Sequence, residues 1–401
     1  MEPFKLLVSQ EKAEEIVLEN CTPIEDTESV KIEASAGRVL AVDVRADRSV
    51  PPFDRSAMDG YAVIAKDTFG ADTKEVLLRL DGVIHAGEVS DVRVSGGRCI
   101  QIATGSPLPE GADSVVMVEY TEKRGDEILI TRPVYPGANV SNKGEDIVEG
   151  DVVLEKGTFL TPAKTGTLAA LGLTEIEVYS KPRVAVIPTG KEIVSPGEQL
   201  APGQIYDINS YTLLTVLEKH GVSVEQFPVA ADEIETLKEA LTQGLEYDMV
   251  VLSGGSSVGE KDLLAGILTE LGEVLFHGVQ IKPGKPTLFG IVNNTPVFGM
   301  PGYPTSCLSN AYIFLVPAVR KMARLPSVYE RTVTAKIGKR IVSSSGRRQF
   351  LTVRLEGDVA HPVYKHSGAI TSMAQADGYV ILPVNLDVIE EGESIEVILL
   401  D

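Results

Sequence analysis

The residues best suited to chemistry lie between positions 248 and 286, where a Gly/Ser loop, an acid and two lysines follow one another. The apolar run Met249–Leu252 predicts a buried strand, residues 253–259 a loop, and the sequence from Glu260 a helix. A strand, such a loop and a helix N-terminus form an anion site, because backbone N–H groups point outward and the helix dipole favours negative charge. The loop residues that we expect to contact the substrate are Ser253, Gly254, Gly255, Ser256, Ser257 and Gly259.

Three charged residues extend this predicted anion site. Asp262 falls in the first turn of the predicted helix, where its carboxylate can hold a metal ion beside the anion. Lys282 and Lys285 lie on a Lys-Pro-Gly-Lys-Pro turn, whose prolines and glycine fix the backbone and so make a rigid grip for an oxyanion. The sequence therefore predicts a metal-assisted reaction on a phosphorylated or oxyanionic substrate. The alternative is a simple β–α connection and a surface turn with solvated lysines.

The elements around these residues predict a parallel α/β sheet over residues 182–325, because apolar strands alternate with helices there. Ligands bind such sheets beyond the carboxyl ends of the strands. Three acids follow neighbouring strands, and oxygen ligands of this kind suit Mg²⁺. These acids are Glu192, Asp232 and Asp262. Asp232 has a second interpretation as the N-cap of a helix, with Glu235 at capping-box spacing. Loop residues expected beside them are Thr189, Gly190, Pro301 and Gly302.

The flanking regions have different patterns. Residues 9–20 predict an amphipathic helix capped by Ser9, and Thr161-Pro162 opens another helix. Short apolar runs separated by turn residues predict a β-rich region from residue 76 to residue 153. After residue 326 short strands return, and we expect a small β-barrel.

Composition excludes some functions. The chain has 37 Lys and Arg against 57 Asp and Glu, a net charge of −20 that argues against nonspecific nucleic-acid binding. The scattered Cys21, Cys99 and Cys307 offer no zinc spacing and predict small buried side chains in a reducing compartment. We find neither a signal-peptide pattern nor an apolar run long enough for a membrane span, so we expect a soluble, cytoplasmic protein.

Several further polar segments match a known family when they are taken together. They are Pro52 to Val63, containing Ser-Ala-Met-Asp-Gly-Tyr-Ala, then Ala103 to Pro109, Gly144 to Asp146, Pro188 to Glu192, Ser253 to Asp262, Lys282 to Pro286 and Pro301 to Pro304, in that order. Over nearly its whole length the sequence resembles the molybdopterin molybdenumtransferases, the MoeA family, which are akin to the E domain of gephyrin.

The resemblance implies an activity. Adenylylated molybdopterin would be bound, molybdate or tungstate would be inserted, and AMP would leave in a Mg²⁺-dependent hydrolysis that ends molybdenum cofactor biosynthesis. Glu192, Asp232 and Asp262 would be the metal-binding and catalytic acids, together with Asp59 as a catalytic residue. The oxyanion would be held by Lys282, Lys285, Arg347 and Ser372.

The resemblance also implies a quaternary arrangement. The family is similar in forming elongated homodimers, so Asp59, Thr104 and Asp146 would reach the substrate on the partner subunit, with the active site at the interface. Four domains are implied: residues 1–48 with 148–181 as an elongated domain, 49–147 as an inserted β-rich domain, 182–325 as the molybdopterin-binding α/β domain and 326–401 as the barrel.

Two alternatives remain at this stage. One is a molybdopterin adenylyltransferase. The N-terminal region and its Ser-Ala-Met-Asp-Gly segment argue against this alternative. The other is a non-catalytic cofactor carrier or scaffold. Many family members have Asp where this chain has Lys191, and Asn where it has Tyr303, so the sequence leaves the choice between molybdate and tungstate open.

Overall fold

The computed structural model describes residues 7–254, 263–327, 331–343, 346–363, 365 and 367–400. The chain divides into two compact units. The small unit contains Ser29–Ala36 and Leu40–Ile176, and the large unit contains Met1–Glu28, Gly37–Val39 and Glu177–Asp401. Because this division does not separate residues 49–147 from the segments that flank them, the four-domain arrangement stays a prediction.

The small unit is built on a six-stranded sheet. Its strands, in spatial order, are Ser114–Met117, Gly60–Val63, Arg98–Ile102, Val76–Ile84, Glu127–Ile130 and Thr121–Arg124. Gly60 is required in its strand, because a Cβ there would lie 2.0 Å from the Val116 carbonyl oxygen. The sheet buries apolar side chains that include Leu78 and Ile128, and this confirms the prediction of a β-rich region.

Shorter elements complete the small unit. Thr161 accepts a hydrogen bond from the Lys164 amide and caps the helix Pro162–Ala170, as predicted. Pairs within this unit are Val44–Arg45 with Val152–Leu154 and Arg55–Ser56 with Val140–Ser141. Elsewhere in the chain, Thr27–Lys31 pairs with Glu175–Tyr179. Short 3₁₀ turns lie at Ile32–Ala34, Ala65–Thr68 and Val118–Tyr120.

The large unit contains a six-stranded sheet between two layers of helices. Its strands, in spatial order, are Ser223–Gln226, Arg183–Pro188, Met249–Ser253, Thr295–Met300, Leu288–Val292 and Glu273–His277. The first four are parallel, as predicted. The last two are antiparallel, so the sheet is mixed. The sequence prediction missed these two strands, although Asn293 and Asn294, with positive φ angles of 49° and 67°, form the hairpin between Leu288–Val292 and Thr295–Met300.

Successive residues of the central strand face opposite helix layers, because side chains alternate along a strand. Val250 and Leu252 pack with helices Ile234–Gly244 and Leu263–Leu271. Met249 and Val251 belong to the other core. The helices that contribute to this second core are Gln10–Asn20, Asn209–Lys219 and the run Pro304–Asn310, Ala311–Leu315 and Val316–Met322.

Three details of the helices are informative. Ser9 accepts a hydrogen bond from the Lys12 amide and caps the first helix, as predicted. The predicted continuous α-helix over residues 305–323 is wrong in its middle, where Ala311–Leu315 forms a π-helical turn before Pro317. The three cysteines are buried, and burial raises the pKa of Cys21 and of Cys99 to about 12, as expected for small core residues rather than nucleophiles.

The C-terminal region of the large unit is a closed five-stranded barrel, as predicted. Its strands, in spatial order, are Arg348–Glu356, Val359–Pro362, Thr332–Ile337, Ser394–Leu399 and Gly378–Leu382, which pairs back to the first. The short strand Ile281–Lys282 pairs in parallel with Arg348 and Gln349 on the barrel. Other short elements are the pair Ile341–Val342 with Val388–Ile389, the pair Ile193–Val194 with Ile205–Tyr206, and the helix Thr371–Ala374.

In the described part of the chain, every helix is too short or too polar to span a bilayer.

Candidate functional site

A cavity of about 1230 Å³ opens at the carboxyl ends of the parallel strands in the large unit. Residues after three of these strands line it, among them Thr189, Gly254 and Pro301. Asp232, beyond the fourth strand, also lines it. The cavity thus lies where a parallel α/β sheet places its ligand, as the sequence predicts.

Hydrogen bonds hold the loops at this edge side by side. The Thr189 amide donates to the Ser253 carbonyl at 2.9 Å, and the Gly254 amide donates to the Met300 carbonyl at 3.3 Å. Gly254 has a φ of +100°, and a Cβ at this position would lie 2.5 Å from the Thr189 carbonyl oxygen. Only glycine therefore permits this close approach. Of the predicted loop residues, Ser253, Gly254, Thr189, Pro301 and Gly302 line the cavity, and Gly190 is not among its lining residues.

The remaining predicted loop contacts lie outside the described residues. They are Gly255, Ser256, Ser257 and Gly259, and the same is true of Asp262.

Two of the three predicted acids, Glu192 and Asp232, line the cavity together. The pKa of Asp232 is raised, mainly by burial. The Glu192 carboxylate raises this pKa further, and the positive charge of Lys191 lowers it. The predicted capping box is wrong, because the helix Ile234–Gly244 begins after Glu233 without any side-chain cap. The Asp232 carboxylate is therefore part of the cavity wall rather than a helix cap.

The rigid turn predicted around Lys282 and Lys285 forms one side of the cavity. Gly284 has a φ of +100°, and a Cβ there would lie 2.4 Å from the Asn310 amide. The buried Asn310 Nδ2 donates to the Gly284 carbonyl at 2.9 Å, and Thr287 Oγ1 donates to the same carbonyl at 2.9 Å. The backbone between the two lysines is thus fixed from the protein interior.

The loop after the strand Thr295–Met300 closes the cavity on another side. Asn209 Nδ2 donates to the Gly302 carbonyl at 2.9 Å, which ties this loop to the helix Asn209–Lys219. Tyr303 lines the cavity and is 66% exposed. Acids, lysines and aromatic surface therefore border a single cavity, an arrangement suited to an anionic ligand that also carries a planar ring.

Comparisons with known proteins cover the same regions. Family models match residues 8–172 (MoeA N-terminal region, domains I and II), 185–321 (probable molybdopterin binding domain) and 334–400 (MoeA C-terminal region, domain IV). A putative molybdopterin biosynthesis protein of Methanocaldococcus jannaschii is 34% identical over the full length of both chains. The chain belongs to the MoeA family. It is therefore, as predicted, an enzyme of the transferase class.

Further relatives of this MoeA-family chain agree. Molybdopterin molybdenumtransferase 2 of Mycobacterium tuberculosis is 35% identical over 94% of this chain and 95% of that protein. A crystal structure of a molybdopterin biosynthesis MoeA protein from Pyrococcus horikoshii matches with a TM-score of 0.84 and 43% identity. This match covers 98% of this chain and 99% of the other.

The small unit of this MoeA-family chain brings two of its predicted residues, Asp59 and Thr104, together. Asp59 Oδ1 accepts hydrogen bonds from the Thr104 amide and hydroxyl, both at 2.7 Å. The backbone bond is the main cause that lowers the pKa of Asp59. The Gly105 amide donates to the Ser56 carbonyl, and exposed Asp146 is held by its amide bond to the Val50 carbonyl.

Two predicted oxyanion ligands do not line the described cavity. Ser372 is fully buried, and its hydroxyl donates to the Ala369 carbonyl at 2.8 Å. Arg347 is exposed just before a barrel strand. The barrel instead contributes Ser367 and Gly368 to the cavity wall.

The sequence prediction missed a wall made by residues 200–209. Leu200, Ile205, Tyr206, Asp207 and Asn209 all line the cavity. Asp207 Oδ1 accepts a hydrogen bond from the Ser210 amide at 3.0 Å, at the start of the helix whose first residue is Asn209. The sequence did contain a signal for this wall. Asp207 lies two residues before the first residue of a helix and directly after the pair Ile205-Tyr206.

Proposed function

We propose that this chain inserts molybdate or tungstate into adenylylated molybdopterin and releases AMP, the last step of molybdenum cofactor biosynthesis. The observation that carries this proposal is that the acids Glu192 and Asp232 and the turn with Lys282 and Lys285 line one cavity. Curated relatives named molybdopterin molybdenumtransferase support the same assignment.

The two sides of the cavity suit the two anionic parts of the reaction. Lys282 and Lys285 supply positive charge in a protein whose net charge is −20, so an oxyanion gains a local attraction that opposes the overall field. The Ser253-Gly254 loop supplies polar backbone to the phosphate end of the substrate. Arg347, from the barrel, stays a proposed additional oxyanion contact.

The acidic side fits Mg²⁺. The raised pKa of Asp232 reflects burial near a second carboxylate, an arrangement that a cation relieves. No cluster of three or more His, Cys, Asp or Glu able to bind a metal occurs within the described ranges, and Asp262, the proposed third ligand, lies outside them. Glu192 and Asp232, with Asp262, would hold the ion, which supplies charge neutralisation at the phosphates.

The proposal includes a homodimer in which Asp59, Thr104 and Asp146 of one subunit complete the site of the other. The support is that Asp59 and Thr104, which hydrogen bonds hold together, are both exposed and so accessible to a partner subunit.

The test is AMP release from adenylylated molybdopterin and Mg²⁺ with molybdate, with tungstate, or with neither. Release that depends on the oxyanion is expected. Glu192→Gln should lower this release roughly 100-fold, because it removes one negative charge from the metal side. Glu198→Gln makes the same chemical change outside the cavity lining and should retain activity.

Other results would overturn the proposal. Tight binding of the substrate without AMP release would favour the carrier function. Pyrophosphate release from ATP and molybdopterin would favour the adenylyltransferase. Equal release with and without oxyanion would indicate a simple hydrolase.

A further inference from the structure

The Asp207 carboxylate has no role in the reaction described above, although it lines the cavity and is only 6% exposed. Its Oδ1 accepts the Ser210 amide bond at 3.0 Å, at the start of the helix Asn209–Lys219. Within the described ranges, this is the hydrogen bond found for the Asp207 carboxylate, and none of the ion pairs found there includes it. A buried carboxylate offers about four acceptor positions, so most of its capacity is left for a ligand.

Asn209 adds a second acceptor to the same wall. It is 8% exposed and lines the cavity. Its Nδ2 donates to the Gly302 carbonyl, while its buried Oδ1 finds no donor among the residues that the structure describes. A buried amide oxygen without a donor is unfavourable until a ligand or a water supplies one. The orientation of this amide is fixed by the Gly302 bond, so the oxygen is the atom left over.

The ligand group that this wall accepts is therefore a donor. A phosphate or oxyanion would be repelled by Asp207. Adenine presents an exocyclic amine beside a ring nitrogen that is an acceptor, and the lone pair of that nitrogen would face the carboxylate. A 2-amino-4-oxo-pteridine presents a ring N–H directly beside its amino group, a pair of donors that matches both oxygens of a carboxylate.

We propose that Asp207 and Asn209 recognise the amino and ring N–H edge of the pterin. Asp207 accepts the two donors of this edge, and Asn209 positions the Gly302 loop and accepts a further donor. The ring lies over Ile205 and Tyr206, which line the cavity and are 56% and 41% exposed. This inference rests on the proposed function for the identity of the substrate.

The test compares binding of pterin with binding of lumazine, in which a carbonyl replaces the 2-amino group. Titration calorimetry is done at mildly acidic pH, where both rings are neutral. The wild-type protein should bind pterin on the order of 10- to 100-fold more tightly, since a hydrogen bond to a charged group is lost with lumazine. Asp207→Asn should abolish or reverse this preference, because an asparagine amide can donate to the lumazine carbonyl.

The Asp207→Asn change preserves the helix start, since asparagine accepts the Ser210 amide bond as well as aspartate does. Asp248→Asn is the matched control, because the Asp248 carboxylate also accepts a backbone amide bond, from Arg183 at 2.6 Å, but does not line the cavity. This control should keep the wild-type preference. The wild-type comparison stands by itself if a variant does not fold.

Equal binding of the two rings by the wild-type protein, or no binding of pterin, would overturn the inference. So would a preference that survives in Asp207→Asn. A pterin preference without oxyanion-dependent AMP release would contradict the proposed function and leave the recognition intact. AMP release that depends on the oxyanion, without any pterin preference, would overturn the recognition by Asp207 and Asn209 and leave the proposed function intact.

Discussion

The carboxylate of Asp59 is held ionised by a neighbour that is close in space and distant in sequence. Its Oδ1 accepts both the amide and the hydroxyl of Thr104. Hydrogen bonds to a carboxylate favour its charged form, and the pKa of Asp59 is accordingly lowered. A group with a lowered pKa stabilises the fold above its unfolded-state pKa, and this contribution is lost as the pH falls through the folded-state pKa.

We therefore predict that Thr104→Val raises the pKa of Asp59 toward its ordinary value without restoring it fully, since the backbone bond remains. The pKa is measured by NMR titration of the Asp59 carboxyl carbon. Thr73→Val is the control, because the Thr73 hydroxyl donates to the Gly70 carbonyl instead of a carboxylate. An unchanged Asp59 pKa in Thr104→Val would show that the side-chain bond does not form in solution.

Single residues also show where sequence reasoning stops. Glu192 and Asp232 could be placed at one sheet edge, because strand–loop–helix order determines that edge. Lys282 and Lys285 could be placed only on a rigid turn. That Asp207 lines the cavity could not be predicted, since the burial of its side chain beside the exposed Ile205 and Tyr206 depends on the folded loop. Asp232 was ambiguous for the opposite reason, because its spacing fits a capping box that the folded helix does not use.

At the scale of elements, the turn between Lys282 and Lys285 depends on Gly284. We predict that Gly284→Ala lowers the free energy of unfolding by about 1–3 kcal/mol more than Gly197→Ala does, because a methyl group would overlap the buried Asn310 amide. Gly197 has a similar φ of +99° but open space around it, so its change tests backbone strain alone. The measurement is denaturant unfolding, and equal losses would show that Asn310 moves aside without cost.

Most strands and helices of the large unit could be predicted from the spacing of apolar residues along the sequence. Strands such as Met249–Ser253 are continuous apolar runs because both faces are covered by helices. The antiparallel strands Glu273–His277 and Leu288–Val292 were missed because each is short and partly polar or glycine-containing. The π-helical turn at Ala311–Leu315 has no sequence period of its own, so only packing reveals it.

At the scale of the whole molecule, the proposed shared active site predicts complementation between inactive variants. Subunits carrying Asp59→Asn are mixed with subunits carrying Glu192→Gln and allowed to exchange. Each mixed dimer then contains one site with both wild-type residues, so the mixture should recover about a quarter of wild-type AMP release.

The controls are each variant alone, which should stay inactive after the same treatment. No recovery, in a mixture shown by mass spectrometry to contain mixed dimers, would place both residues in the same subunit's site. It would leave the insertion chemistry itself untouched.

The short strand Ile281–Lys282 pairs with Arg348 and Gln349, so the barrel helps to position Lys282, which lines the cavity. A strand keeps its side chains on alternate faces, so a slip of one residue would turn Lys282 away from its present side. The position of this cation is thus set by a register between segments more than sixty residues apart in the chain. Evolution can therefore change the site without substituting any residue that lines the cavity. An insertion in the barrel that shifts this register would move the Lys282 side chain relative to the cavity.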